Sequence, residues 1–249
     1  MNNFKIVVPS YNCSKWIGKT INSLKTQTMS NFTCIIMDDL STDDTYEAAV
    51  SLTKNDERFL VNKNKEKKYP VGNFYEGLKL LKAEKEDICV VVDGDDWLFD
   101  KYSLMKVLNT YEQNDCLMTY GSFVEYPSGI QHPYYLEPYD NYIVSTNFFR
   151  KAPWKASHLR TCKAKLWNAV KYTDLIDPRT GNFYSLAGDV AATIPMLEMA
   201  GNRSFHISDT LYVYNKQNPL SEMYVKPKEQ VETCSLIMKN KKYNRRDFS

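Results

Sequence analysis

The chain has 249 residues, 43% hydrophobic and 25% charged, the profile of an ordinary globular protein able to bury a sizeable core. Its 32 Lys and Arg nearly cancel its 30 Asp and Glu, so no overall field favours a nucleic acid polymer, and no apolar run reaches the length of a membrane span. The six cysteines fall in no Cys-x-x-Cys spacing and follow no signal sequence, which predicts reduced thiols and a cytoplasmic protein.

Phe4 to Val8, closed by Pro9, and Phe32 to Met37, closed by Asp38-Asp39, have the length and character of buried strands. Between them Ile17, Ile21 and Leu24 share one face of a helix expected over Lys15 to Thr26, with Ser14 as its N-cap. Ser41, with Asp44 three residues on, is expected to cap the next helix, whose inner face would be Ala48, Ala49 and Leu52. A strand over Arg58 to Val61, a helix over Val71 to Ala83, a strand over Asp87 to Val92 and a helix over Lys101 to Tyr111 continue the alternation. That order predicts an α/β fold with a mostly parallel central sheet flanked by helices. Beyond Leu117 the pattern loosens. Met118 to Tyr126 reads as strand, Pro127 to Pro153 as a long functional loop, Thr161 to Val170 as helix, Gly188 to Ala200 as a helix ended by Gly201, and Ser204 to Tyr214 as short strands. A last helix over Glu229 to Lys239 leads into a basic tail, Lys239 to Arg246, expected to be solvated or frayed.

Three strand ends carry unusual polar groups: Pro9-Ser10-Tyr11-Asn12, Asp38-Asp39 and Asp93-Gly94-Asp95-Asp96. Parallel strands place such ends on one edge, where open sheets form their ligand crevices. Three acids within four residues repel one another, a cost that points to a cation, and oxygen donors suit a hard divalent ion such as Mn2+ or Mg2+. The competing reading is a turn whose Asp residues cap the next helix. A nucleotide fits the edge: Tyr11 would stack on a base, a carboxylate would accept from base or ribose, and a cation on Asp95 would neutralise a diphosphate. No phosphate-cradling glycine loop is present, which argues against an ATPase or a dehydrogenase.

Taken together, Ile6 to Asn12, Met37 to Thr45 and Val92 to Asp96 resemble the opening strand, the Asp-Asp-Gly-Ser-x-Asp-x-Thr element and the Asp-x-Asp metal motif of the inverting glycosyltransferases of family 2, which have the GT-A fold. The resemblance is close over roughly the first 100 residues and looser to about residue 215. It departs at Leu40, where the family carries Gly, and at Gly188, where it usually carries Glu. It implies a GT-A (Rossmann-like) fold with a smaller mixed acceptor-side region, in one domain: a nucleotide-sugar half over 1–116, an acceptor half over 117–222, and a C-terminal helix and tail over 223–249. Carried over by position, Pro9, Tyr11 and Asp39 would line the base pocket, with Asn73 matching the Asn of the segment after the third strand. Asp93 and Gly94 would face the ribose, and Asp95 would hold Mn2+ or Mg2+. Asp38 is expected to brace the strand end, and the Lys63 to Lys68 run to be a solvated loop, although Lys68 could approach the diphosphate.

Inverting transfer needs a base, and Asp189 in Leu186-Ala187-Gly188-Asp189-Val190 is similar to the family's base-bearing segment; its competing role is helix N-cap. Trp154, His158 and Arg160 would serve the acceptor, His206 would sit in the sheet, and Asn215 to Ser221 would close beside the nucleotide. The expected partners are a nucleotide-sugar donor, UDP first, and a glycan or glycoconjugate acceptor, with peripheral membrane contact through the basic tail. The alternatives are a sugar nucleotidyltransferase, whose Gly-rich basic signature is missing from Pro9 to Gly18, and a non-catalytic nucleotide-sugar or glycan-binding module.

Overall fold

A computed structural model describes residues 3–220 and 226–248. Its spine is an eight-stranded sheet of β1 (Phe4–Ser10), β2 (Phe32–Asp38), β3 (Phe59–Lys63), β4 (Ile88–Val91), β5 (Trp97–Leu98), β6 (Met118–Tyr126), β7 (Ser157–Lys163) and β8 (Ser204–Asn215), in the order β3-β2-β1-β4-β7-β6-β8-β5. The first four strands are parallel, β6 and β8 are parallel, and β7 runs antiparallel to both β4 and β6. Parallel strands must return by crossovers, which here are α1 (Ile17–Lys25), α2 (Thr45–Thr53) and α3 (Tyr69–Leu80). The expected α/β class with a mostly parallel sheet is what the chain forms.

Alternation along β1 decides where each layer packs. Phe4, Ile6 and Val8 face a core with Ile17, Ile21 and Leu24 of α1 and with Leu104 and Val107 of α4 (Ser103–Gln113). Val7 faces the other side, where Val71, Phe74 and Leu78 of α3 meet α7 (Gly188–Ala200). Helix α7 is apolar nearly all round and correspondingly buried, and Gly201 ends it at a positive φ of 61°. Gly188 is where α7 meets α3: a Cβ there would lie 2.9 Å from Val71 Cβ, so the larger Glu of the resemblance has no room.

Several expectations are corrected. Thr161 to Lys163 are strand, with only α6 (Ala164–Trp167) helical, because Thr161 and Cys162 pair with Val90 and Cys89 on one side and with Thr119 and Met118 on the other. Ser14 does not cap α1; its N–H donates to Asp43 Oδ2 at 3.1 Å. Ser41 does not cap α2, since its Oγ accepts from the Asn12 N–H at 3.0 Å and the helix starts at Thr45, with Leu52 exposed and Thr45, Ala49 and Thr53 buried. The 127–153 segment is not featureless: it holds a 3-10 turn over Pro133–Leu136, α5 (Asn141–Thr146) and a second turn over Phe149–Lys151, anchored by buried Tyr139 and Phe149. Ser204 to Asn215 is one strand with irregular register rather than several.

The tail is not frayed either. After α8 (Pro227–Met238), Tyr243 is buried and its N–H donates to Glu198 Oε2 at 3.0 Å, while Lys165 Nζ donates to the Phe248 carbonyl at 2.9 Å. Glu198, fully buried in α7, pairs with Arg150 at 2.7 and 2.9 Å, so α7, the 149–151 turn and the tail share one polar knot. The expected boundary at 222/223 lies outside the described residues. Among the described residues no helix is long and apolar enough to cross a membrane, and Cys13, Cys34, Cys89, Cys116, Cys162 and Cys234 are all free thiols.

Candidate active site

The carboxyl edge of β1, β2 and β4 gathers the expected acids. The β4 end is held under β1 by the Gly94 N–H, which donates to the Pro9 carbonyl at 2.9 Å. A Cβ at Gly94 would run into Ser10 Oγ and come within 3.0 Å of Pro9 O and Cys13 Sγ, so the glycine is required by the chain's own packing. Beside it, Asp93 Oδ2 accepts from the Tyr212 hydroxyl at 3.4 Å, and the same hydroxyl oxygen accepts the Asp93 N–H at 3.1 Å. Burial and then the neighbouring Asp95 charge push the Asp93 carboxyl up to about 6, with Arg160 opposing and Asp189 adding to the rise. Asp95 is raised by burial against a hydrogen bond from Asn218 Nδ2 at 2.7 Å. Asp96 is raised as well, by burial and then by Asp95, and its Oδ1 accepts the Asn215 N–H at 2.7 Å, tying β8 to the turn.

Burial thus raises both Asp93 and Asp95, the Asp95 charge adds to the rise at Asp93, and a cation between them would offset that cost. Both offer hard oxygen donors, and each keeps part of its surface open, whereas Asp96 is closed off. Among the described residues no group of three or more His, Cys, Asp or Glu stands ready to hold a metal ion. A cation here would take the rest of its shell from ligand oxygens and water, as Mg2+ usually does.

Asp39 is 3% exposed, and its carboxylate lies at the amino end of α3. Oδ1 accepts from the Lys68 N–H and Asn64 Nδ2, both at 2.8 Å, and Oδ2 from the Tyr69 N–H at 2.9 Å. Asn64 Nδ2 also donates to Asn73 Oδ1 at 2.6 Å, so Asn73 is buried and reaches Asp39 only through Asn64. Asp38 is wholly buried, with Oδ2 accepting the Ser41 N–H at 3.3 Å, in keeping with a bracing role. Pro9 is buried inside β1, while Tyr11 is 43% exposed with Lys67 Nζ over its ring. That lysine also donates to the Asp39 carbonyl at 2.8 Å, so Lys67 folds onto the site, while Lys63, Lys65 and Glu66 are exposed as expected of a solvated loop and Lys68 Nζ pairs with Glu66 at 2.6 Å.

From the other half, Asp189 occupies the first turn of α7 and not its N-cap, which is Ala187 at a φ of 54°. Its Oδ2 lies 3.3 Å from Arg160 of β7, and Oδ1 accepts the Val190 N–H at 2.9 Å. His158, two residues before Arg160, stacks on Tyr212 with centroids 4.4 Å apart, and burial holds its pKa well below the usual range, so it is a neutral ring at neutral pH. Trp154 is half-buried against the α7-side core, and His206 sits in β8 with Nε2 2.9 Å from the Tyr135 carbonyl. Within the 215–221 segment, Asn218 Nδ2 donates to Asp95 Oδ2 at 2.7 Å; Ser221 lies outside the described residues. Asn64, Tyr212 and Asn218 are the site residues that sequence reasoning did not single out. Two concavities, of about 650 Å3 along α8 and about 400 Å3 between α3 and the Trp167 to Leu175 stretch, lie away from this edge.

Comparison with known proteins gives one matching family model, described as glycosyl transferase family 2, over residues 5–169. Glycosyltransferase GlyA of Streptococcus pneumoniae is 26% identical over 177 residues, covering 68% of this chain and 25% of that protein. The UDP-Glc:alpha-D-GlcNAc-diphosphoundecaprenol beta-1,3-glucosyltransferase WfaP of Escherichia coli is 34% identical over 104 residues, 41% of this chain and 39% of that one. The chain thus spans a quarter to two fifths of the length of these relatives. Among solved structures, S. aureus TarS 1-349 in complex with UDP-GlcNAc superposes with a TM-score of 0.68 at 21% identity, covering 94% of this chain and 65% of that one, a likeness of fold.

Proposed function

Because the chain belongs to glycosyl transferase family 2, we propose that it moves a sugar from a nucleotide-diphospho sugar, with UDP as nucleotide, to a hydroxyl of a glycan or glycoconjugate, by a single inverting displacement. The observation that carries this reading is that acids from different halves share one arginine: Arg160 pairs with Asp189 at the start of α7 at 3.3 Å, and its charge opposes the rise at Asp93, beside Asp95 at the β4 end. The UDP-GlcNAc bound by TarS and the UDP-Glc in the name of the E. coli relative favour UDP, and the latter's diphosphoundecaprenol acceptor favours a sugar carried on a lipid diphosphate.

In this reading Pro9, Tyr11, Asp39 and Asn73 shape the base pocket, with Asn64 setting the Asp39 carboxylate, and Asp93 and Gly94 meet the ribose. Asp95, with Asp93 beside it, would hold Mn2+ or Mg2+, whose charge neutralises the leaving diphosphate. The Asp189 carboxylate takes the proton of the acceptor hydroxyl as that oxygen bonds to the anomeric carbon and the diphosphate leaves from the opposite face. Arg160 orients that carboxylate through its ion pair, and Trp154 and His158 border the acceptor side.

The test is nucleotide release from a panel of nucleotide sugars, with and without Mn2+, followed by NMR of the anomeric configuration of the product. UDP release and inverted linkage are expected. Pyrophosphate release from a nucleoside triphosphate would instead mark a nucleotidyltransferase, and tight donor binding with no turnover on any glycan acceptor a binding module.

A further inference from the structure

Aromatic rings and cations gather where α5 meets the tail. Tyr142 in α5 is 65% exposed and Phe148, just past its end, 41%, with ring centroids 6.4 Å apart. Neighbouring large rings left this open usually meet something. The basic tail is laid along the same helix: Lys242 Nζ donates to the Thr146 carbonyl at 3.3 Å, Asn147 Nδ2 donates to the Tyr243 carbonyl at 3.0 Å, and Arg245 reaches the Val144 carbonyl. Lys151 adds its ammonium 5.6 Å from the Phe148 centroid. Residues 239–246 carry Lys239, Lys241, Lys242, Arg245 and Arg246 and no acid. Two acids border the face: Asp140, which caps α5 by accepting the Tyr142 N–H, and Asp247.

We propose that this face docks on an anionic membrane surface, with Tyr142 and Phe148 at headgroup depth and Lys151, Lys239, Lys241 and Lys242 against lipid phosphates. Exposed rings flanked by exposed lysines match a diffuse anionic interface that is apolar just beneath its charge. The face is rigid, because Arg150 and Tyr243 fasten the 149–151 turn and the tail to Glu198. The inference does not depend on the transfer reaction.

The test is co-sedimentation of the full chain with phosphatidylcholine vesicles, with and without phosphatidylglycerol, at low and high salt. Binding should require the anionic lipid and weaken with salt. Lys241→Glu with Lys242→Glu should lose about twentyfold or more in partition, at about fivefold per charge. Tyr142→Ser with Phe148→Ser should weaken binding while keeping its salt dependence. Circular dichroism and the thermal melt of each variant serve as the check on folding, and neither they nor the partition depends on the transferase reading. Equal binding to neutral vesicles, no binding, or wild-type partition by both variants would overturn the proposal, as would a change in self-association without lipid binding, which would mark a protein interface instead.

Discussion

At Asp95 the carboxylate has a hydrogen-bonded partner, Asn218, that does not neutralise its charge, and burial raises its pKa. Asp95→Asn keeps the shape and removes the charge, so UDP affinity measured by calorimetry should lose its dependence on Mn2+, a drop of at least about tenfold. Equal UDP affinity with and without chelator in the wild type would contradict the assignment. Asp189 is separable from this effect because its contacts are Arg160 and the first turn of α7. Asp189→Asn is expected to slow transfer by about 10^2 to 10^4 while donor affinity stays close to wild type; failure of UDP to bind would reassign the residue. Leu40 stands where the resemblance has Gly and does take a left-handed φ of 62°, at a cost of roughly 1 kcal/mol, so the turn is kept despite the residue.

At the scale of elements, α7 links the candidate base at one end to the Glu198 knot at the other. The Arg150 side chain is 10% exposed and that of Glu198 0%, so removing either partner leaves a buried charge without its paired counter-ion, held only by neutral donors or acceptors such as the Tyr243 N–H and the Ile237 carbonyl. Glu198→Ala or Arg150→Ala should cost about 3–5 kcal/mol, while Arg150→Met with Glu198→Leu should cost much less. Thermal melts of the three variants decide this: for a chain of this length each kcal/mol moves Tm by about 2–4 °C. If the double variant melts no higher than the single ones, the knot is not an isolated ion pair and the packing of Tyr243 carries more of the stability.

For the molecule as a whole, ligand binding at the sheet edge couples to stability by mass action. UDP with Mn2+ at about 100 times Kd should add about 2.7 kcal/mol, or about 5–10 °C in Tm, and chelator should remove most of the gain. A shift of the same size from UDP in chelator would mean that the nucleotide is held by Asp39, Tyr11 and backbone groups without help from a cation.

Local pattern was enough for β1, β2 and β4, because a buried parallel strand is a short apolar run and its polar end announces itself; hence Asp39, Asp93 and Asp95 were legible as a group. Asp189 was legible by resemblance and as a helix-start residue, but only the fold sets it beside Arg160 of β7. Thr161 to Lys163 misled because a strand between two others borrows its partners from residues about 40 and 70 positions away, and polar threonines there are satisfied across the sheet rather than by solvent. The same distance hid Tyr212 and Asn218, which reach the acids across more than a hundred residues, and hid the anchoring of the tail, whose cations are exposed as expected while its backbone is held to Glu198 through Tyr243. Periodicity and turn chemistry act between neighbours in sequence and could specify elements and strand ends; which side chains satisfy a buried charge depends on non-local packing, and that only the tertiary structure decided.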